Sequence, residues 1–178
     1  MGLTVATAFW TSIQAINSEA RASYDTAASL LSEGQYDHIV SKLSGSITQD
    51  TYIQLRRAGW LVSPILEGQL NGIRLIGFDY LTAPDTLQQL VKSAQKDGYK
   101  TAEFGLLIAN TQTAKRLETK IKVVIEEALA PAIALGDIGT VQQILKRDDL
   151  SRLLVLPGQP MGQVPLNQVG SGLQLKNA

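Results

Sequence analysis

The spacing of apolar residues predicts helices along much of the chain. Over Thr4–Glu33 the apolar positions recur every three or four residues, which is the period of one face of an α-helix. Gly34 then supplies a residue type that commonly ends helices. The same period recurs over Thr113–Ala130, where charged residues occupy the opposite face. Shorter helices are predicted at Tyr36–Leu43, Gln49–Ala58 and Ile138–Arg147, with Asp137 as the cap of the last.

Between these helical patterns, two apolar runs predict a β-hairpin. Trp60–Leu70 and Ile73–Tyr80 flank the dipeptide Asn71-Gly72. Asn-Gly favours a type I′ turn, whose two central residues both need a positive φ. Pro64 is expected at the edge or the start of its strand, because proline has no N–H to donate to a ladder.

A further helix is predicted after the hairpin. Thr82–Asp85 has the pattern of a helix N-terminus with proline in the first turn, and Gly98 is expected to end the helix. The next segment, Tyr99–Ala109, is compatible with a buried strand or with the start of the following helix. A strand is the favoured interpretation, and it makes Ile73–Ala109 a β-α-β passage.

The last 23 residues, from Leu156 onward, differ in composition from the rest. They hold three of the six prolines, four glycines and four glutamines, and Lys176 is their one charged side chain. Disordered tails are usually rich in charge, so we expect an extended arm that lies on another surface. The apolar residues expected to contact a partner are Met161, Val164, Leu166, Val169, Leu173 and Leu175.

Together these patterns predict an α+β, helix-rich chain. Residues 1–155 are expected to form one globular domain with a small β-hairpin or β-α-β element, and residues 156–178 the extended C-terminal arm. The composition, 44% hydrophobic, is sufficient for a sizeable core.

Composition narrows the possible partners and locations. Sixteen basic and sixteen acidic residues cancel, so there is no long-range attraction to nucleic acid or to an anionic membrane. Cysteine is absent, which excludes disulfides and thiolate zinc sites. No classical signal peptide and no apolar run of about 20 residues is present. We expect a soluble protein, cytoplasmic or assembled into a particle, with no membrane contact.

The chain offers little catalytic chemistry. His38 is the only histidine, so two-histidine metal sites are excluded. The adjacent pairs Glu126-Glu127 and Asp148-Asp149 are interpreted as solvated charge, and Gly98-Tyr-Lys-Thr101 lacks the first glycine and the spacing of a P-loop. We therefore expect no catalytic residue, metal or cofactor.

Residues 36–80 suggest one alternative. Two short helices, with Arg56 and Arg57 in the second, are followed by a hairpin that carries Arg74. This order of elements resembles a winged helix, a family in which the second helix enters the DNA major groove. The resemblance implies nucleic-acid contact through the three arginines. Acidic residues offset the positive charge over the same stretch, which is unusual for a DNA reader.

These observations lead to a functional hypothesis with two alternatives. The favoured one is a structural or assembly protein that forms or joins a homo-oligomeric complex, such as a virion connector or adaptor, through self-association or neighbouring subunits. The alternatives are a DNA-binding regulator or packaging component that uses residues 36–80, and an enzyme or small-ligand-binding protein whose site the sequence does not reveal.

Overall fold

The computed structural model describes residues 36–43, 45–94, 105–117 and 120–178. Within these ranges the chain forms ten strands and five helices. The strands are β1 (His38–Ser41), β2 (Ile47–Thr48), β3 (Val62–Leu70), β4 (Ile73–Phe78), β5 (Leu106–Ala109), β6 (Lys122–Ile125), β7 (Ile133–Asp137), β8 (Asp149–Leu150), β9 (Arg152–Val155) and β10 (Leu173–Lys176). The helices are α1 (Gln49–Arg57), α2 (Asp85–Ala94), α3 (Thr111–Arg116), α4 (Ile138–Leu145) and α5 (Leu166–Val169).

Eight of these strands form one mixed sheet, in the order β10-β1-β9-β3-β4-β7-β5-β6. The pairs β4–β7 and β5–β6 are parallel, and the other five pairs are antiparallel. β2 and β8 form a separate two-stranded sheet. Both edges of the large sheet are thus short strands, β10 and β6.

The hairpin predicted around Asn71-Gly72 is confirmed. β3 and β4 pair antiparallel with Leu70 opposite Ile73, so the loop has two residues. Asn71 and Gly72 have φ values of 51° and 73°, as a type I′ turn requires. Pro64 lies near the start of β3, opposite Leu153 of β9.

Helices pack on both faces of the large sheet. On one face, Ile65, Ile76 and Leu135 pack with Leu87 and Val91 of α2. On the other face, α4 packs through Val141 against Leu66, Leu75 and Ala134. Beside α4 on this second face, a further buried cluster joins α1, α5 and the strands β1, β3 and β9. Its members are Ile39, Ile47, Leu55, Trp60, Val62, Leu150 and Leu153.

Glycines let α4 approach the sheet closely. A Cβ atom built on Gly77 of β4 would lie 2.9 Å from Cβ of Val141 and 3.2 Å from Cα of Ile138. Gly68 of β3 faces the side chain of Leu145 in the same way. The small residues in two adjacent strands therefore set the helix–sheet distance, and Asp137 caps α4 as predicted by accepting a hydrogen bond from the Gly139 N–H.

The prediction of a helix-rich fold is wrong, because the described residues are dominated by the sheet. Tyr36–Leu43 contains β1 rather than a helix, and Thr113–Ala130 contains the end of α3, then β6 and a turn. Both segments carry β-branched residues that pack well on a pleated sheet, as in Lys-Val-Val-Ile of β6. Pairing with distant strands decided the conformation, not the local helical spacing.

Other predicted elements had mixed outcomes. The helices Gln49–Ala58 and Ile138–Arg147 are confirmed as α1 and α4. The end of Tyr99–Ala109 is a strand, β5. However, β4 and β5 run in opposite directions with β7 between them, so they do not form a parallel β-α-β unit. The predicted helix Thr4–Glu33 and the helix end at Gly98 lie outside the described residues.

Candidate functional site

The C-terminal segment supplies one edge of the large sheet. β10 pairs antiparallel with β1, with Leu175 opposite Ile39 and Leu173 opposite Ser41. β1 in turn pairs with β9. In the part of the chain that the structure describes, β10 has a neighbouring strand on one side only.

The hydrogen-bond register shows which backbone groups of β10 point away from the sheet. The Lys42 N–H donates to the Gly172 carbonyl (2.8 Å), whereas the Val155 N–H donates to the Asp37 carbonyl (2.8 Å). Even-numbered residues of β1 therefore bond to β10, and odd-numbered ones bond to β9. Because hydrogen-bonded pairs alternate in an antiparallel ladder, Gln174 bonds to β1, while the N–H and C=O of Leu175 point outward.

Apolar side chains accompany this outward-facing backbone. Leu175 is 39% exposed, and Leu43, just beyond β1, is 90% exposed. Leu43 lies beside the turn that leads into β10, since its Cδ1 is 3.9 Å from a Cβ built on Gly172. Leu173 is half-buried and packs against the cluster around Trp60. We call the outward edge of β10, with Leu43 and Leu175, the β10 edge.

Specific contacts hold the segment before β10 on the domain. The Trp60 indole N–H donates to the Val164 carbonyl (2.9 Å), and the Val164 N–H donates to the Ala58 carbonyl (3.1 Å). The Gln159 side chain accepts from the Leu61 N–H (3.0 Å) and donates to the Leu61 carbonyl (2.7 Å). The side-chain amide thus imitates a strand partner for Leu61, which anchors the loop that leads to β10.

The six apolar residues predicted to contact a partner divide into two sets. Leu166, Val169 and Leu173 pack against the cluster that contains Trp60 and Leu55. Met161, Val164 and Leu175 are exposed. The contact with a partner stays a prediction for the exposed set, and the packed set explains how an uncharged segment is accommodated by its own chain.

The three arginines considered for nucleic-acid binding do not lie together. Arg56 and Arg57 are exposed in the last turn of α1, before the start of β3. Arg74 lies on β4, opposite Gln69 near the hairpin turn, where it forms an ion pair with Glu67. In addition, β1 stands where the first helix of a winged helix was expected. The resemblance to a winged helix is therefore not supported.

Glu67 is the centre of a half-buried charged cluster. Its carboxylate accepts a hydrogen bond from Nε of Arg74 (3.2 Å) and lies 2.6 Å from Nη2 of Arg152. Its backbone N–H donates to the Ser151 hydroxyl (2.8 Å), and its carbonyl accepts from Nη1 of Arg147 (3.1 Å). These contacts tie β3 to the start of β9 where the two strands separate, so the cluster has a clear structural role.

A second ion pair continues this cluster. Arg147 donates from Nε and Nη2 to the two carboxylate oxygens of Asp149, at 2.7 and 3.0 Å. The hydrogen bond from Arg147 is the main reason that the pKa of Asp149 lies below its usual value. Asp149 is therefore ionised and bound at neutral pH, which suits a structural carboxylate rather than a general acid.

Tyr52 of α1 also has a shifted pKa. Burial raises the pKa of its hydroxyl, and the nearby charge of Asp79 acts in the same direction. Asp79 itself accepts hydrogen bonds from the Leu81 N–H (3.0 Å) and the Thr82 hydroxyl (2.8 Å). A tyrosine with a raised pKa stays neutral at physiological pH, so this group also lacks the features of a nucleophile or base.

Among the described residues, no three His, Cys, Asp or Glu side chains lie close enough together to hold a metal ion. His38, the only histidine, lies on β1 opposite Leu154 and Lys176. The absence of catalytic, metal and cofactor sites stays a prediction for the chain.

The apolar character of the C-terminal segment is evident from the sequence, but its role as an edge strand was not predicted. The signal that could have found it is the alternation of Leu173 and Leu175 with Gln174 and Lys176, which is the pattern of a half-buried strand. The surrounding prolines and glycines obscured that pattern, because they favoured an arm without regular structure.

Comparisons with known proteins give a structural similarity and no family. No protein-family model matches the chain, and no curated protein matches it. Among solved structures, it is similar to the extracellular domain of the noncanonic ABC-type transporter YknZ from Gram-positive bacteria. The similarity covers 79% of this chain and 98% of that one, with 12% identity and a TM-score of 0.43. At that level, the similarity does not assign a function.

The predicted role as a virion connector or adaptor is wrong, and self-association stays a prediction. The prediction depended on the apolar C-terminal segment, and part of that segment packs on its own chain, since Leu166, Val169 and Leu173 lie against the cluster around Trp60. The helix-rich architecture expected with it is also absent from the described residues, which are mainly sheet. The DNA-binding alternative loses its basis in a winged helix, because β1 stands in place of the first helix, and nucleic-acid contact through the three arginines stays a prediction.

Across the described ranges, no helix has both the length and the apolar character needed to cross a membrane. The cytoplasmic location stays a prediction.

Proposed function

We propose that this domain is a protein-binding module without catalytic activity, and that the β10 edge accepts an extended segment of a partner chain as an added strand. Strand addition uses main-chain hydrogen bonds for affinity and alternate side chains for specificity. The observation that carries the proposal is the outward-pointing N–H and C=O of Leu175, which lie at a sheet edge beside exposed leucines.

The two edges of the large sheet, β6 and β10, differ in how well they suit an added strand. At β6, the residues Ile121, Lys122 and Glu126 already take part in interactions of their own. On β10 the one charged residue, Lys176, is the last of the strand, and Leu175 projects its exposed side chain beside the free backbone.

Charge supports a protein partner over a nucleic acid. The chain has no net charge at pH 7, and the exposed arginines Arg56, Arg57 and Arg116 are on α1 and α3 rather than on β10. Phosphate contacts dominate the affinity of nucleic-acid binding, and β10 itself carries a single basic residue, Lys176. Its backbone and leucines suit an extended peptide with apolar residues at alternate positions.

The proposal is tested with a displayed library of random dodecapeptides selected on the immobilised protein. We expect enriched peptides to carry apolar residues at alternate positions, because strand side chains alternate between faces. The variant Leu175→Pro removes the outward N–H, while Gln174 and Lys176 keep their bonds to β1. Binding of the enriched peptides should fall at least about tenfold, roughly 1.4 kcal/mol.

Matched leucine variants control for a general loss of apolar surface. Leu43→Lys alters the β10 edge and should weaken binding, whereas Leu81→Lys alters an equally exposed leucine in the turn after β4 and should not. Circular dichroism confirms that each variant is folded. Failure to enrich any peptide, or enriched peptides that bind Leu175→Pro as well as the unaltered protein, contradicts the proposal.

A further inference from the structure

The β10 edge is complementary to itself, a property that strand addition alone does not require. Leu175 presents both a donor and an acceptor outward. The Leu173 N–H is already bonded to the Gly170 carbonyl (3.1 Å), so Leu173 offers its carbonyl. The same alternation, continued past the strand end, turns the Asn177 N–H outward. Donors and acceptors are therefore balanced about Leu175.

We propose that the strand accepted by β10 is β10 of a second copy of this chain, paired antiparallel about a two-fold axis at Leu175. This inference rests on the proposed function, since it names the partner of the same edge. In this register Leu175 of each copy bonds to the other, and each Asn177 N–H donates to the partner carbonyl of Leu173. Four main-chain hydrogen bonds result, which is a self-complementary, two-fold interface.

Charge favours this register over one in which the two-fold axis is moved to Lys176. With the axis at Leu175, Lys176 of one copy lies opposite Gln174 of the other, and no like charges face each other. A shift that places the axis at Lys176 preserves the hydrogen-bond count but sets the two lysines directly opposite, which is destabilising. With the axis at Gln174, the Leu175 N–H of each copy would meet the partner carbonyl of Leu173, but the reciprocal donor, the Leu173 N–H, is already engaged.

The side chains of the same strand agree with this arrangement. Leu173 and Leu175 are on one face of the strand, and Gln174 and Lys176 are on the other. Leu175 of the two copies would meet on the face where the half-buried Leu173 already packs on the domain. The pairing therefore joins two apolar strips and leaves both lysines in water.

Cysteine cross-linking tests this register directly, because the chain contains no cysteine. Gln174 and the partner's Lys176 form a non-hydrogen-bonded pair, whose Cα atoms are about 4.5 Å apart and within disulfide range. A mixture of Gln174→Cys and Lys176→Cys proteins should form a disulfide-linked heterodimer under mild oxidation. Either variant oxidised alone should cross-link at least about tenfold more slowly, because its two cysteines are then offset by two residues along the strands, beyond about 7 Å.

Sedimentation equilibrium of the unaltered protein provides the second readout. We expect a concentration-dependent monomer–dimer equilibrium below about 1 mM, and Leu175→Pro should be monomeric over the same range. Equal cross-linking of the mixture and of the separate variants, or a monomer at every concentration, overturns the inference. If library peptides still bind in a Leu175-dependent manner, that result rejects the second copy and leaves strand addition standing. If neither peptides nor copies bind, both proposals fail.

Discussion

Asp149 lies where elements that are distant in sequence meet. Its carboxylate receives two hydrogen bonds from Arg147, and its backbone pairs with Thr48 of β2. Two residues further on, the Ser151 hydroxyl accepts a hydrogen bond from the Glu67 N–H of β3. The ion pair is partly exposed, so its contribution to stability is about 1 kcal/mol rather than that of a buried pair. The ion pair joins the small sheet to the large one, because Asp149 belongs to β8 and Arg147 donates to the Glu67 carbonyl of β3.

The pH dependence of stability follows from the lowered pKa of Asp149. A carboxylate whose pKa is lower in the folded state stabilises the fold above its unfolded pKa of about 3.9, and this stability is lost as the pH falls through the folded pKa. We expect Asp149→Asn to lower the free energy of unfolding by about 1 kcal/mol at pH 7, and by less near pH 3. Urea unfolding at the two pH values measures the difference.

Asp148→Asn is the control for this variant, because Asp148 is exposed and adjacent. Its free energy of unfolding should change by less than about 0.5 kcal/mol at either pH. An Asp149→Asn variant whose destabilisation is the same at pH 3 and pH 7 would show that the Arg147 pair does not depend on ionisation of the carboxylate.

Elements were predicted well wherever the deciding interactions are local. The Asn71-Gly72 turn depends on two positive φ angles, and the start of α4 depends on the Asp137 side chain and the Gly139 N–H. In each case the residues that interact lie within two positions of one another in the sequence. α1 likewise begins at Thr48, whose side chain accepts a hydrogen bond from the Thr51 N–H. Turns and caps of this kind can be derived from the sequence.

The strands β1 and β6 could not be derived in the same way. β1 is stabilised by Leu153 of β9 and Leu175 of β10, more than a hundred residues away, and no pattern within Tyr36–Leu43 indicates those partners. In Thr113–Ala130 the apolar spacing fits a helix, but the pairing of Val124 with Ile108 of β5 outweighs that preference. The candidate site depends on such long-range pairing, which is why its residues were predicted and its geometry was not.

Helix α4 provides a test of close packing between elements. Gly77→Ala would place a Cβ against backbone of α4 at Ile138, which cannot move without shifting the helix. We expect a loss of about 2 kcal/mol in the free energy of unfolding, the usual cost of overpacking. In Gly68→Ala the new methyl meets only the flexible side chain of Leu145, so its cost should be smaller. Urea denaturation of both variants compares them, and equal losses would contradict this packing.

At the scale of the whole molecule, the uncharged C-terminal segment completes the domain. Residues 157–178 cover Trp60, bond to Leu61 through Gln159, and add β10 to the sheet. The sequence predicted that this apolar segment lies on another surface, expected to be that of a partner. It could not indicate that most of the surface belongs to the same chain, because Trp60 and Val164 are about a hundred residues apart.

Removal of residues 157–178 should therefore destabilise the remaining domain. The deletion removes the segment that covers Trp60 and the hydrogen bonds of Gln159, so we expect the free energy of unfolding to fall by about 3 kcal/mol or more. This loss corresponds to a fall in Tm of roughly 10 °C. Thermal unfolding followed by circular dichroism measures the change, and a chain that lacks only residues 177–178 is the control. An unchanged Tm after the longer deletion would show that the segment does not contribute to the fold.

The central claim is that the backbone of Leu175 is available to a partner strand, and hydrogen exchange measures this directly. In dilute protein, the Gln174 amide should be protected by its bond to β1, while the Leu175 amide should exchange at nearly the rate of an unfolded peptide. On addition of a selected peptide, or at concentrations where two copies pair, Leu175 should become protected without a change at Gln174. Protection of Leu175 in the dilute protein, or no gain in protection with a bound partner, would contradict the account.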